Sequence, residues 1–266
     1  VELTTLSSVL AVIGYTLATL AVVLRLFHPK GPNLILILSL ACAAIVGHSM
    51  QVSGFLLNSQ AVNFNLPNVV SLVSLLITML ITLTALKYKV NLLLPVSYGF
   101  AAVWQLVVLV IPPIDTISLS ADTLALVSHI TVALIAYCVL VIATLYAFQV
   151  TYINLKLKSK NLAAVNHLPP LMQVENQLFI ILALGTICLL ASQVTGLLFL
   201  DNFFAKAQLH KTVLSLSALV VYGAILWGHY SQGWRGHRVL VLTLIGTGLL
   251  TLSYFGSRFV KEFLLS

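Results

Sequence analysis

The sequence predicts an all-α protein, a polytopic integral membrane helix bundle, and three features carry that prediction. Only 7% of the 266 residues are charged and 60% are hydrophobic, whereas a soluble domain needs roughly a quarter of its residues charged to keep its surface wet. The apolar stretches are continuous rather than alternating, which argues against the strands of a barrel. They run for about 18 to 25 residues, the length an α-helix needs to cross about 30 Å of hydrocarbon. The prediction is about eight transmembrane helices in a single transmembrane domain, residues 1–266, with both termini external.

In order, the spans are predicted at about 4–26, 33–54, 67–87, 90–111, 123–154, 176–199, 209–230 and 238–262. The first has no small-residue cleavage pattern at a suitable distance, so it is read as a retained helix and not a signal peptide. Pro29 and Pro32 bracket the first turn, Pro67 opens span three, and Pro112 with Pro113 stop span four. Pro95 falls in the first turn of span four, where its missing N–H costs little, and Pro169 with Pro170 break the chain before span six. Short connections favour antiparallel neighbours in one bundle. The stretches 55–66 and 200–209 are longer and partly apolar (Phe55, Leu56, Leu57; Phe203, Phe204), as expected of short amphipathic pieces at an interface.

Loop charges give the orientation. Arg25 and Lys30, Lys87 and Lys89, Lys156, Lys158 and Lys160, and Arg235 and Arg238 follow spans one, three, five and seven. The loops on that side hold one acid, Glu175; Glu2, Asp115, Asp122, Asp201 and Glu262 fall on the other side. By the positive-inside rule the basic loops are cytoplasmic. The isoelectric point near 9.4 therefore reflects topology, and no nucleic acid is expected as a partner. Cys42, Cys138 and Cys188 lie inside apolar runs with no CxxC or CxxCH, which implies neither disulfide nor thiol chemistry.

Of seven histidines, His28, His167, His229 and His237 lie in or beside basic loops, and three lie within spans. His48 and His129 are each about 10 Å below the outer end of their helix, at 1.5 Å per residue, and His210 opens span seven. Three helices of alternating direction thus carry a metal-competent side chain at similar depth, and membrane interiors keep polar groups where something pairs with them. Zinc would call for cysteine or carboxylate nearby, and a proton path for a buried acid; neither is present. Haem fits better, since iron takes neutral imidazole, the macrocycle needs an apolar slot, and propionates need cations such as Lys206 and Lys211. Gln51, three residues after His48 on the same helical face, is placed to hydrogen-bond a ring N–H or a propionate. Intramembrane Ser and Thr (Thr78, Thr82, Thr84, Ser215, Ser217) are expected to bond the preceding turn's carbonyl or a neighbouring helix. Tyr15, Tyr98, Tyr137, Trp104 and Trp227 read as packing or belt residues.

The second half carries an ordered set of motifs: His129-Ile-Thr-Val-Ala-Leu-Ile-Ala-Tyr137; Leu178-Phe179 with Gly185 and Thr195-Gly196; His210-Lys211-Thr212; Gly233-Trp234-Arg235-Gly236; and Ser253-Tyr254-Phe255-Gly256. Over roughly residues 60–262 these resemble the cytochrome c assembly membrane proteins of the CcsA, ResC and CcmC type, most closely the YpjD and HemX-like branch. The resemblance implies a bacterial inner-membrane protein that handles haem at the outer face, with His129 matching the first external histidine. Three departures accompany it. The segment Leu200-Asp201-Asn202-Phe203-Phe204-Ala205-Lys206 has no tryptophan and so no WWD motif, and the second external histidine is missing. The inner transmembrane histidine position corresponds to Trp227, with His229 displaced by about two residues.

The expectation is therefore a haem b-binding, haem-handling membrane protein without lyase activity or catalytic residues. His129 and His210 are the expected iron ligands, His48 the alternative ligand, and Lys206, Lys211 and Gln51 further cofactor contacts. The rival is a non-haem accessory or regulatory subunit that binds a partner membrane protein through 156–175 and the His229 to Arg238 loop. A small-molecule transporter is disfavoured by the lack of buried acids and of paired broken helices.

Overall fold

The computed structural model describes residues 2–26, 31–57, 62–63, 66–110, 118–119, 124–159, 168–199 and 209–256. Among these are eight helices long and apolar enough to cross a membrane: α1 (Glu2–Val23), α2 (Leu34–Leu57), α3 (Leu66–Lys87), α4 (Leu93–Val110), α5 (Leu124–Lys158), α6 (Leu171–Phe199), α7 (Leu209–Gln232) and α8 (His237–Thr251), the last continued by a π-helical turn, Leu252–Gly256. In an apolar solvent each backbone polar group must be paired inside its own segment, which selects the helix. The hydroxyls follow the same rule: Thr78, Thr82, Thr84, Ser215 and Ser217 each donate to a carbonyl three or four residues back. Outward faces carry Ile35, Leu83, Leu197 and Val220, all exposed, which lipid tails cover at no cost because they are as apolar as leucine.

Spans one to five and seven fall within a few residues of their expected bounds. Span six starts five residues early, directly after Pro169 and Pro170, because the Pro170 carbonyl accepts from Gln173 and Val174 N–H and opens the helix there. Span eight is described to Gly256, and 257–262 lie outside the described residues, as does most of 200–209.

The helices fall into two compact units, each of which has its own packing. Unit 1 (Val1–Asp122 with Leu162–Pro169) holds α1–α4. Its α1 and α2 meet through small residues: a Cβ on Gly14 would lie 2.8 Å from Ala44 Cβ, and one on Gly47 2.8 Å from the Ser7 carbonyl. Close backbone approach of this kind is how membrane helices gain dispersion contact. A two-residue antiparallel ladder, β1 (Val62–Asn63) with β2 (Ser118–Leu119), joins the connections that follow α2 and α4.

Unit 2 (Thr123–Asn161 with Pro170–Ser266) holds α5–α8. α5 runs antiparallel to α6, with Gly185 against Leu140, and antiparallel to α8 through the Tyr137–Thr251 and Thr144–Thr247 hydroxyl pairs at 2.9 and 2.6 Å. α7 meets α8 through Tyr222 and Thr247 at 2.8 Å. One end of unit 2 therefore gathers the start of α5, the end of α6, the start of α7 and the π-turn; the opposite end gathers the lysines of α5 and the Gly-Trp-Arg-Gly turn.

Candidate functional site

His48 lies in unit 1, wholly buried. Ser71 Oγ donates to Gln51 Oε1 at 3.1 Å, so the 3.0 Å contact between Ser71 Oγ and His48 Nε2 needs its hydrogen from the ring. Nε2 is then the protonated nitrogen and Nδ1 accepts from the Tyr15 phenol at 3.2 Å. Thr78 Oγ1 lies 3.1 Å from that phenol, Gln105 Nε2 donates to Ser71 Oγ at 3.3 Å, and Tyr98, stacked on Tyr15 at 5.9 Å, bonds Thr82 at 2.8 Å. All four helices of the unit contribute, and both imidazole nitrogens are taken by hydroxyls. The alternative ligand named from the sequence thus has no lone pair to offer a metal in this arrangement. Gln51 serves the ring through Ser71 rather than by the direct bond expected.

His129 lies in unit 2, half-buried on α5. Its Nδ1 is 2.9 Å from the Ser192 carbonyl oxygen and 3.3 Å from Thr195 Oγ1, whose own hydrogen goes to that same carbonyl at 2.9 Å. A carbonyl only accepts, so Nδ1 carries the hydrogen and Nε2 keeps its lone pair. Nε2 has no hydrogen-bond partner among the described residues. A ring N–H held by a backbone carbonyl, with the other nitrogen left as a donor of electrons, is the arrangement that orients a metal-ligating histidine.

Three other features stand at this end of unit 2. His210 is exposed at the start of α7, and the structure gives no contact between its ring and that of His129. Ser253 Oγ donates to the Lys211 carbonyl at 2.8 Å, which ties the π-turn to the start of α7. Tyr137 is flanked by Tyr254 and Phe255 at 5.7 and 5.3 Å, an aromatic wall two helical turns from His129. Lys206 lies outside the described residues. No group of three or more His, Cys, Asp and Glu able to hold a bare metal ion occurs among the described residues.

A family model described as cytochrome C assembly protein matches residues 36–265. The chain belongs to that family. It is 36% identical to the inner membrane protein YpjD of Escherichia coli K12 over 257 residues, 96% of this chain and 97% of that one. It is also 34% identical, over 140 residues and 52% of each chain, to an uncharacterised 28.8 kDa protein in a nifR3-like 5′ region of Azospirillum brasilense. No solved structure matches. With eight membrane-capable helices and full-length similarity to an inner-membrane relative, this cytochrome c assembly family member is a multi-pass protein of the bacterial inner membrane.

The opposite end of unit 2 carries the family-like Gly-Trp-Arg-Gly turn. Gly233 has φ 65° and ends α7 where other residues would be strained. The chain then folds Trp234 back over Gly228, where a Cβ would lie 2.3 Å from the indole. Arg238 sits 5.3 Å over the Trp234 ring, and Arg235 pairs with Glu175 of α6 at 3.5 Å. Trp227 faces outward, while His229 stacks on Phe179 at 3.4 Å and donates from Nδ1 to the Trp234 carbonyl at 3.1 Å. The sequence places His229 in or beside a basic loop; the structure seats it in the last turn of α7, held by Phe179 and the Trp234 carbonyl.

Proposed function

We propose that this cytochrome c assembly family member handles haem at the outer face of the membrane, with His129 supplying an axial ligand through Nε2. The observation that carries the reading is the Nδ1–H bond to the Ser192 carbonyl, which fixes the tautomer and leaves one nitrogen unengaged in a half-buried site. The residues fit the group: a neutral oriented imidazole for iron, the Tyr137, Tyr254 and Phe255 rings for a flat apolar macrocycle, and Lys211 at the same end for a propionate. His210 is the second ligand in this reading and Lys206 a further propionate cation. Bound there, haem b would add iron's capacity for axial ligation and electron exchange. The chain's own residues orient and hold it, with no bond-making step assigned to any of them. The positive-inside distribution supports an external location for this end and for both termini.

Purified protein titrated with haemin should give a shifted Soret band that His129→Ala abolishes. An unchanged band in that variant overturns the assignment. The rival reading, a non-haem accessory subunit, draws on the rigid basic turn around Trp234, Arg235 and Arg238. It is favoured if the wild-type protein binds no haemin.

A further inference from the structure

Beside His129, two hydroxyls are left without work. Ser192, whose backbone carbonyl holds the imidazole, is 1% exposed, and its own Oγ has no hydrogen-bond partner among the described residues. The same is true of the Tyr254 phenol oxygen, which is shut off from solvent in the π-turn. The two hydroxyls lie close enough to interact with one another, though short of full hydrogen-bond geometry. Even a mutual bond would use one O–H and leave the other undirected. A buried unsatisfied donor costs free energy, and in lipid no water replaces the partner. Several other hydroxyls in the spans of unit 2 find partners, as with Tyr137 and Thr251, Tyr222 and Thr247, and Thr195 and the Ser192 carbonyl, while Thr151 Oγ1, toward the opposite end of α5, does not.

The position of the idle pair is equally specific. Tyr254 sits in a π-helical turn, an irregularity that recurs at functional sites. Its neighbour Ser253 clasps the Lys211 carbonyl at 2.8 Å, so the phenol, the start of α7 with its lysine and the serine that anchors His129 share one end of the unit. We propose that the Ser192 and Tyr254 hydroxyls bind the carboxylate of the ligand held at His129, a propionate of haem, by donating two hydrogen bonds to it. A carboxylate accepts through two oxygens and suits a pair of O–H donors. This inference rests on the haem reading above.

The test compares haemin with its dimethyl ester, which keeps iron and macrocycle but has no carboxylate. Wild-type protein in detergent should bind haemin at least about tenfold more tightly than the ester, the scale of a lost charge-assisted bond or two. The Ser192→Ala, Tyr254→Phe double variant should bring haemin down to the ester's affinity while leaving the ester unchanged. Phenylalanine keeps the ring against Tyr137, and circular dichroism melting confirms that the variant folds. Equal binding of the two ligands by the wild type, or equal weakening of both in the double variant, overturns the inference. Haemin binding that survives His129→Ala with wild-type strength instead overturns the haem reading beneath it, so the two failures are distinct.

Discussion

Replacing His48 by leucine should cost stability and leave the haem spectrum alone. Leucine keeps most of the imidazole's volume, so the change isolates two hydrogen bonds, those to Tyr15 and Ser71 at 3.2 and 3.0 Å. Hydrogen bonds between membrane helices are worth about 0.6 kcal/mol on average and about 1.7 at most, which brackets the pair at roughly 1–3 kcal/mol. The groups left behind shift the result toward the lower half. The Tyr15 O–H can turn to Thr78 Oγ1, 3.1 Å away, whose own hydrogen goes to the Leu75 carbonyl. Ser71 keeps Gln51 as its acceptor. No donor is stranded, and about 1–2 kcal/mol is expected. Tyr15→Phe should cost a similar amount for a different reason, because it strands the Nδ1 lone pair of a buried ring. Since the two residues share one bond, the double variant should fall short of the sum by about 0.5 kcal/mol or more. Unfolding in mixed micelles followed by circular dichroism measures the stabilities, and haemin titration of the same samples measures the site. A His48→Leu protein that melts like the wild type and loses its Soret shift would refute the reasoning, for the ring would then be a ligand and not a strut.

The packing of the two units makes further predictions. Gly47→Ala should destabilise by about 1–3 kcal/mol, the usual range for overpacking, because its Cβ meets the Ser7 carbonyl at 2.8 Å and backbone cannot step aside; the same melting assay reads it. Gly228→Ala should expel the Trp234 indole from its seat, which a Cβ would approach to 2.3 Å, and shift the tryptophan emission to longer wavelength as that ring enters water. Glu175→Gln should change stability by under about 0.5 kcal/mol, since Arg235 is 64% exposed and such pairs contribute little.

The eight spans were legible because each is a continuous apolar run, and lipid imposes helix on such a run without regard to its neighbours. The start of α6 was not, because Glu175 reads as a loop charge until Arg235, sixty residues on, is seen beside it. Tyr15 and Tyr98 read as packing or belt aromatics in a linear sequence; that they are the former, buried and beside Thr78 and Thr82, depends on which helices pack face to face. Ser71 carried no sequence signal at all, yet it sits between the His48 imidazole and the amides of Gln51 and Gln105. The histidines themselves stood out from composition. What composition could not supply is the proton on each ring, which is set by whether the partner is a carbonyl or a hydroxyl.

That distinction separates two imidazoles that look alike in the sequence. His48 faces hydroxyls on both sides, each able to give or take a hydrogen, so the network closes on itself and the ring behaves as a strut between helices. His129 faces a carbonyl, which takes the one ring hydrogen and gives nothing back, so a lone pair is left over. In water such a surplus is trivial; within a membrane span each unsatisfied polar group costs free energy that packing must offset. The same end of unit 2 holds two more unsatisfied groups, on Ser192 and Tyr254. A lone pair suited to a metal and two donors suited to an oxyanion, gathered at one end of one unit, match the two kinds of polar contact that an iron porphyrin with its propionates requires. Unit 1 also leaves buried atoms unpaired, Gln105 Oε1 and Ser97 Oγ, but among its described residues it offers no free imidazole nitrogen, and so an extrinsic ligand beside His48 lacks the anchor that His129 supplies.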